Sequence, residues 1–122
     1  MADTILIVDD SPSVRSLETL ILKSAGFQTD TAVNGVEALE KIYKGRYALV
    51  IMDINMPKMD GLTLSKMIRE QEAYKNLPII MMSSEAEDKD RAGGINAGAT
   101  AYLVKPVTPE NLLLNVKTLL NK

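Results

Sequence analysis

Short apolar runs that stop at polar clusters alternate along the chain with stretches whose apolar residues recur every three or four positions. Ile5 to Val8 is continuously apolar and ends at Asp9-Asp10, the mark of a strand buried on both faces. Ser11-Pro12 then opens a helix: the hydroxyl can cap, and proline tolerates the first helical position because its missing N–H would be unpaired there. Val14, Leu17, Ile21 and Ala25 follow at helical spacing, and Gly26 suits the helix end. Phe27 to Ala32 reads as a second strand. Val36, Leu39, Ile42 and Tyr43 mark a helix ending near Gly45, and Ala48 to Met52 is a third strand with Asp53 at its end. The turn-like Met56-Pro57-Lys58-Met59-Asp60-Gly61 leads into a helix carrying Leu64, Met67, Ile68 and Gln71. Pro78 introduces a strand, Ile79 to Met82, stopped by Ser83-Ser84. Glu87 to Ala97 predicts a weaker helix, because Gly93 and Gly94 each lower helix preference by about 1 kcal/mol relative to alanine. Ala101 to Val104 is a fifth strand. Thr108-Pro109 starts a last helix with Leu112, Leu113, Val116, Leu119 and Leu120 on one face, which leaves Leu114 opposite them as a solitary exposed leucine.

Strands and helices in strict alternation, joined by short connections, favour right-handed βαβ units and a parallel sheet covered on both faces. In such an α/β sheet the functional crevice lies beyond the C-terminal ends of the strands. Asp9-Asp10, Asp53, Ser83 and Lys105-Pro106 all fall there, so three carboxylates, a hydroxyl and an ammonium converge on one edge. Crowded carboxylates repel unless a cation or proton separates them. A ligand set of hard oxygens suits Mg²⁺, which is held by one or two carboxylates together with a substrate phosphate. In a phosphoryl transfer, Asp53 would be the nucleophile, Lys105 would offset charge on the transferred oxygens, and Ser83 could donate a hydrogen bond to one of them.

Composition narrows the chemistry further. The 122 residues suit one domain spanning 1–122, and 46% hydrophobic with 25% charged residues is ordinary globular composition. A net charge of −2 without basic blocks argues against nucleic-acid binding. No apolar run approaches the roughly 20 residues of a membrane span, and the N-terminus lacks a signal-peptide layout, so a cytoplasmic location is expected. The chain has neither cysteine nor histidine, which leaves carboxylates, hydroxyls and lysines to do the chemistry.

Val8-Asp9-Asp10-Ser11, Met52 through Gly61, Ser83, Ala97-Gly98-Ala99, Tyr102 and Lys105-Pro106 together resemble the receiver domain of two-component response regulators, in its stand-alone chemotaxis-type form. The resemblance implies a flavodoxin-like, doubly wound five-stranded sheet of order 2-1-3-4-5 with five helices, and no attached output domain. It implies an aspartyl phosphate on Asp53, with Mg²⁺ held by Asp10, Asp53 and the backbone carbonyl of Asn55 and Asp9 assisting through water. Ser83 and Tyr102 would move together on phosphorylation, and the Lys105-Pro106 bond would be cis. A sensor histidine kinase would supply the phosphoryl group, and an unidentified downstream protein would read the surface from the fourth helix to the fifth. The chain would work as a monomer whose only catalysis is its own phosphorylation and dephosphorylation.

Taken singly, each of these residues has an ordinary structural reading. Asp9 and Asp10 favour a helix dipole, Asp53 is a loop acid, Asp60-Gly61 is a turn, Ser83 is a cap, Lys105 is a solvated charge and Tyr102 is a half-buried aromatic on an edge strand. Their order at successive strand ends carries the functional reading. Two alternatives share parts of the pattern. A flavin mononucleotide-binding module of the same fold would want a hydroxyl- and glycine-rich loop where Asp9-Asp10 stands. An aspartate-nucleophile phosphatase would want an acid where Asn55 stands. Asn55 and Glu85, each two residues beyond a site residue, fit the chemotaxis-type layout. Asp88, Asp90 and Arg91 on the fourth helix, and Val107 after Pro106, depart from the basic, apolar surface and the phenylalanine of members that report to the flagellar motor.

Overall fold

The computed structural model describes residues 3–84 and 88–122. Five parallel strands, β1 (Thr4–Val8), β2 (Gln28–Ala32), β3 (Leu49–Asp53), β4 (Ile79–Ser83) and β5 (Ala101–Val104), form one sheet in the order β2-β1-β3-β4-β5. The helices α1 (Pro12–Ser24), α2 (Gly35–Lys44), α3 (Gly61–Glu70), α4 (Asp88–Asn96) and α5 (Pro109–Leu120) alternate with them. The expected doubly wound topology is therefore the observed one. Each strand lies within a residue or two of the range predicted for it. Glu85 and Glu87 lie outside the described residues.

Because the strands are buried on both sides, alternate residues feed two separate cores. Leu6, Val8, Val50, Met52, Ile79, Met81 and Tyr102 face one way, toward Ala38 and Ile42 of α2, Leu64 and Ile68 of α3 and Ala97 just beyond α4. Ile5, Ile7, Leu49, Ile51, Ile80, Met82 and Leu103 face the other, against Ile21 and Leu22 of α1 and Leu112 and Val116 of α5. Four helices start on a side-chain cap: Ser11, Asn34, Asp60 and Thr108 accept from the backbone N–H of Val14, Glu37, Thr63 and Asn111. Such caps contribute about 1 kcal/mol each and fix where the chain leaves the strand end.

The helix faces differ from the predicted stripes in two places. On α1 Leu17 is 54% exposed whereas Glu18 is 5% exposed, because the face that meets the sheet runs through Val14, Glu18, Ile21 and Leu22. On α2 Val36 and Tyr43 are exposed and Gly35, Ala38 and Ile42 are buried. Tyr43 instead stacks on Tyr74 at 5.9 Å between ring centroids, so its ring is covered from the side. Leu114 is exposed as expected.

Candidate functional site

Parallel pairing brings the C-terminal ends of β1, β3 and β4 level with one another. Val8 pairs with Met52 and Asp53 with Met82, so Asp9 and Asp53 leave adjacent strands side by side. Asp9 is buried and held on several sides. Its Oδ1 accepts from Ser11 N–H at 2.9 Å, its Oδ2 accepts from Lys105 Nζ at 3.0 Å, and its backbone N–H donates to Ala32 O at 3.1 Å. Arg15, one turn into α1, donates from Nη1 to the Asp9 carbonyl at 2.7 Å. Asp10 lies nearer the solvent. It is exposed, and its carboxylate carries no hydrogen bond or ion pair among the described residues.

Asp53 is the last residue of β3 and is also buried. Its Oδ1 accepts from Asn55 N–H at 3.4 Å, and its Oδ2 lies 3.3 Å from Lys105 Nζ. The loop beyond it turns back sharply. Gly61 donates its N–H to Ile54 O at 2.8 Å, and a Cβ at Gly61 would stand 2.5 Å from Asp53 O. Only glycine lets α3 begin this close to the strand end. Lys58 within the loop adopts a positive φ of 68°.

Lys105 reaches the acids from the far side of the crevice. Its backbone N–H donates to Ser83 O at 2.8 Å, which fixes it against the end of β4, and the Lys105-Pro106 peptide is cis. Ser83 is buried at that same strand end. Tyr102 lies one strand further out on β5 and is buried rather than half-buried, with Arg91 of α4 over its ring at 5.5 Å from the centroid. A Cβ at Gly94 would meet Tyr102 Cδ2 at 2.9 Å and Met81 Sδ at 3.2 Å, so this glycine lets α4 rest directly on the ring.

The electrostatics follow from burial. Burial raises the Asp53 carboxyl above the ordinary aspartate range; Lys105 opposes that rise and the Asp9 charge adds to it. Burial alone would lower Lys105, but the Asp9 hydrogen bond and the charges of Asp53 and Asp9 outweigh it and leave the ammonium firmly protonated. Asp9, Asp10 and Asp53 each bring a carboxylate oxygen within 4.8 Å of the others. The donor set contains oxygen and no softer atom, the chemistry of a hard divalent cation. Asp10 is the carboxylate with no other partner, whereas Asp9 is already engaged by Lys105 and Ser11. The residues thus fit Mg²⁺, and Asp10 is the acid of the three with no other contact among the described residues.

Residues 5–117 match the response regulator receiver domain. The chain belongs to that family. It is 38% identical to the transcriptional regulatory protein SrrA of Staphylococcus aureus over all 122 residues, which make up 49% of that protein, so the chain spans about half the length of the curated relatives it matches. Among solved structures it is similar to the chemotaxis protein CheY4 of Vibrio cholerae, with 39% identity and a TM-score of 0.93 over 98% of this chain and 99% of that one. It is similar also to the receiver domain of a sensor histidine kinase from Pseudomonas aeruginosa, solved with a magnesium ion coordinated in the active-site cleft. There the identity is 28% and the TM-score 0.92 over the whole of both chains. Receiver domains act in two-component signalling, bind Mg²⁺ in an acidic pocket and take a histidine kinase as partner, and this chain carries an aspartate cluster.

Sequence reasoning did not anticipate two residues near this receiver site. Arg15 clamps the Asp9 backbone, and Glu18 is buried one turn later. Arg15 gave no signal, since an arginine on a helix reads as solvated. Glu18 could have been found from its spacing to Val14, Ile21 and Leu22, which places it on the buried stripe.

Proposed function

We propose that this receiver domain is a phosphorylation switch in which Asp53 is the phosphoryl acceptor. The observation that carries the reading is the ion-paired Asp53 at a strand end, beside an unengaged Asp10 and beneath a lysine that bridges two carboxylates at 3.0 and 3.3 Å. An Asp53 carboxylate oxygen attacks the phosphorus of a phosphohistidine on the partner kinase. The new O–P bond forms as the P–N bond breaks, and the departing electron pair stays on the imidazole nitrogen. Lys105 follows the negative charge from the carboxylate to the transferred oxygens, and Ser83 donates its hydroxyl to one of them. Bound Mg²⁺, held by Asp10, Asp53 and the Asn55 carbonyl with Asp9 through water, would supply charge neutralisation for the incoming phosphate.

The output surface in this reading is α4, β5 and α5. Drawing Ser83 toward the phosphate displaces the start of α4, and Tyr102 beneath that helix responds. A downstream protein then reads the changed face, with the receiver acting as a monomer in the cytoplasm, where the kinase's phosphate donor is made. The likeness to a chemotaxis protein supports a chemotaxis role, while Val107 and the acids Asp88 and Asp90 on α4 weigh against a flagellar-motor partner. The phosphatase alternative is disfavoured because Asn55 has no acid to protonate a leaving group, and the flavin alternative because Asp9 and Asp10 would repel an uncompensated phosphate.

Acetyl phosphate with Mg²⁺ should label the wild type through an acid-stable, hydroxylamine-labile bond, as acyl phosphates are, and Asp53→Asn should abolish it. Labelling of that variant at wild-type stoichiometry would move the acceptor elsewhere. In direct titration, Asp10→Ala should weaken Mg²⁺ binding more than Asp9→Ala does; an unchanged affinity in Asp10→Ala would remove Asp10 from the site.

A further inference from the structure

The peptide that joins Asp9 to Asp10 is held from outside its own strand. Arg15 is the fourth residue of α1, and because side chains on a helix lean toward its N-terminus, the guanidinium reaches back over the first turn. Its Nη1 donates to Asp9 O at 2.7 Å, while its backbone N–H donates to Ser11 O at 3.1 Å. No ion pair joins Arg15 to Asp9, Asp10 or Asp53 among the described residues. The cation anchors a carbonyl and leaves the acids alone. The rest of Asp9 is held as well: its N–H donates to Ala32 O at 3.1 Å, its Oδ1 accepts from Ser11 N–H at 2.9 Å and its Oδ2 from Lys105 Nζ at 3.0 Å. Asp10 thus stands between a fixed Asp9 and the capping Ser11, with a carboxylate that has no partner among the described residues. Such a carboxylate owes its placement to the backbone that bears it.

We infer that Arg15 is a positioning residue for the divalent-cation site: by holding the Asp9 carbonyl it fixes the peptide that carries Asp10, and so sets where the Asp10 carboxylate stands relative to that of Asp53. This rests on Asp10 as a ligand in the site proposed above. Mg²⁺ demands near-ideal octahedral placement of its oxygens, whereas the larger Ca²⁺ accepts irregular sets, so a backbone anchor matters more for Mg²⁺. A positive charge acting as such would do the opposite. An arginine beside acids that bind a dication repels it, and its removal would tighten both cations alike. The two roles therefore differ in sign.

The test is titration with Mg²⁺ alone and with Ca²⁺ alone, without phosphate, followed by the amide resonances of Asp53 and Asn55 in the wild type, Arg15→Ala, Arg15→Lys and Asp10→Ala. Arg15→Ala should weaken Mg²⁺ binding by about tenfold, the low end for losing a partner that orients a metal ligand, and Ca²⁺ binding by clearly less. Arg15→Lys returns the charge and a donor on a shorter chain and should recover part of the Mg²⁺ affinity. Tighter or unchanged Mg²⁺ binding in Arg15→Ala, or an equal loss for both cations, would overturn the inference. Should Arg15→Ala unfold, Arg15→Lys reads the same quantity: its preference for Mg²⁺ over Ca²⁺ should fall below that of the wild type, and an unchanged preference would overturn the inference. Asp10→Ala separates the two ways to fail. Weaker Mg²⁺ binding there with none in Arg15→Ala strikes the role of Arg15 and leaves the site standing; unchanged binding in Asp10→Ala removes Asp10 from the site, and the role of Arg15 with it.

Discussion

Helices α1 and α4 both follow strand ends that carry site residues, and they are built in opposite ways. α1 has 13 residues, a Ser11 cap, proline in its first turn and an inward face through Glu18, Ile21 and Leu22. α4 has 9 residues, two adjacent glycines and no apolar stripe, and among its described residues only Gly94 is buried. Among the described residues, side chains of α3 hold the chain just beyond the C-terminal end of α4. Ser65 Oγ donates to Ala97 O at 2.7 Å, and Arg69 donates to Gly98 O from Nε at 3.0 Å and from Nη2 at 2.8 Å. The acids Asp9 and Asp10 are thus followed by a long, capped helix with an inward apolar face, while the described part of the helix after Ser83 buries a single glycine.

The firm helix nevertheless carries a buried carboxyl that costs stability once it ionises. At low pH Glu18 is protonated in both the folded and the unfolded chain. As pH rises past 4.5 the unfolded chain releases that proton while the folded one keeps it to about 7, so stability is lost across this window and levels off above it. Glu18→Leu should therefore be more stable than wild type at pH 8 by on the order of 3 kcal/mol, an advantage that shrinks toward pH 4.5. Urea unfolding at several pH values measures it. A pH-independent difference would mean that Glu18 titrates alike in the folded and the unfolded chain.

A smaller effect separates the two glycines of α4, which look equivalent in the sequence. At Gly94 an added methyl meets Tyr102 at 2.9 Å, whereas nothing lies within 4 Å of one at Gly93. Gly94→Ala should be destabilising, since overpacking of about 1–3 kcal/mol outweighs a helix gain of about 1 kcal/mol. Gly93→Ala should stabilise by about 1 kcal/mol, because only the helix preference changes. Thermal unfolding of the two variants should therefore shift in opposite directions; shifts of the same sign would remove Gly94 as the seat of α4 on Tyr102.

These contrasts mark what was legible in the sequence. Strand positions were, because a doubly buried strand is a continuous apolar run and Asp9, Asp53 and Ser83 each sit where such a run stops. The sheet order came with the family resemblance and holds in the structure. Helix faces were less legible. Leu17 looked like a core residue by spacing, yet it is exposed and its neighbour Glu18 is buried, because the way α1 lies on the sheet decides which face turns inward. Periodicity narrows the inward face but does not fix it to the residue. Gly94 was read as a loss of helix preference and turned out to be a close approach, which depends on a residue eight positions away on another element. The roles given to Asp53, Asp10, Asn55, Ser83 and Tyr102 rest on their arrangement and on family membership.

Hydrogen exchange with and without acetyl phosphate and Mg²⁺ addresses the contrast and the site together. In the unphosphorylated protein α4 should exchange faster than α1, because fewer buried contacts hold it. On phosphorylation the protection of α4 should change, that of α1 should stay as it was, and Asp53→Asn should show neither response. Equal protection of the two helices, or a phosphate-dependent change that survives in Asp53→Asn, would contradict the account.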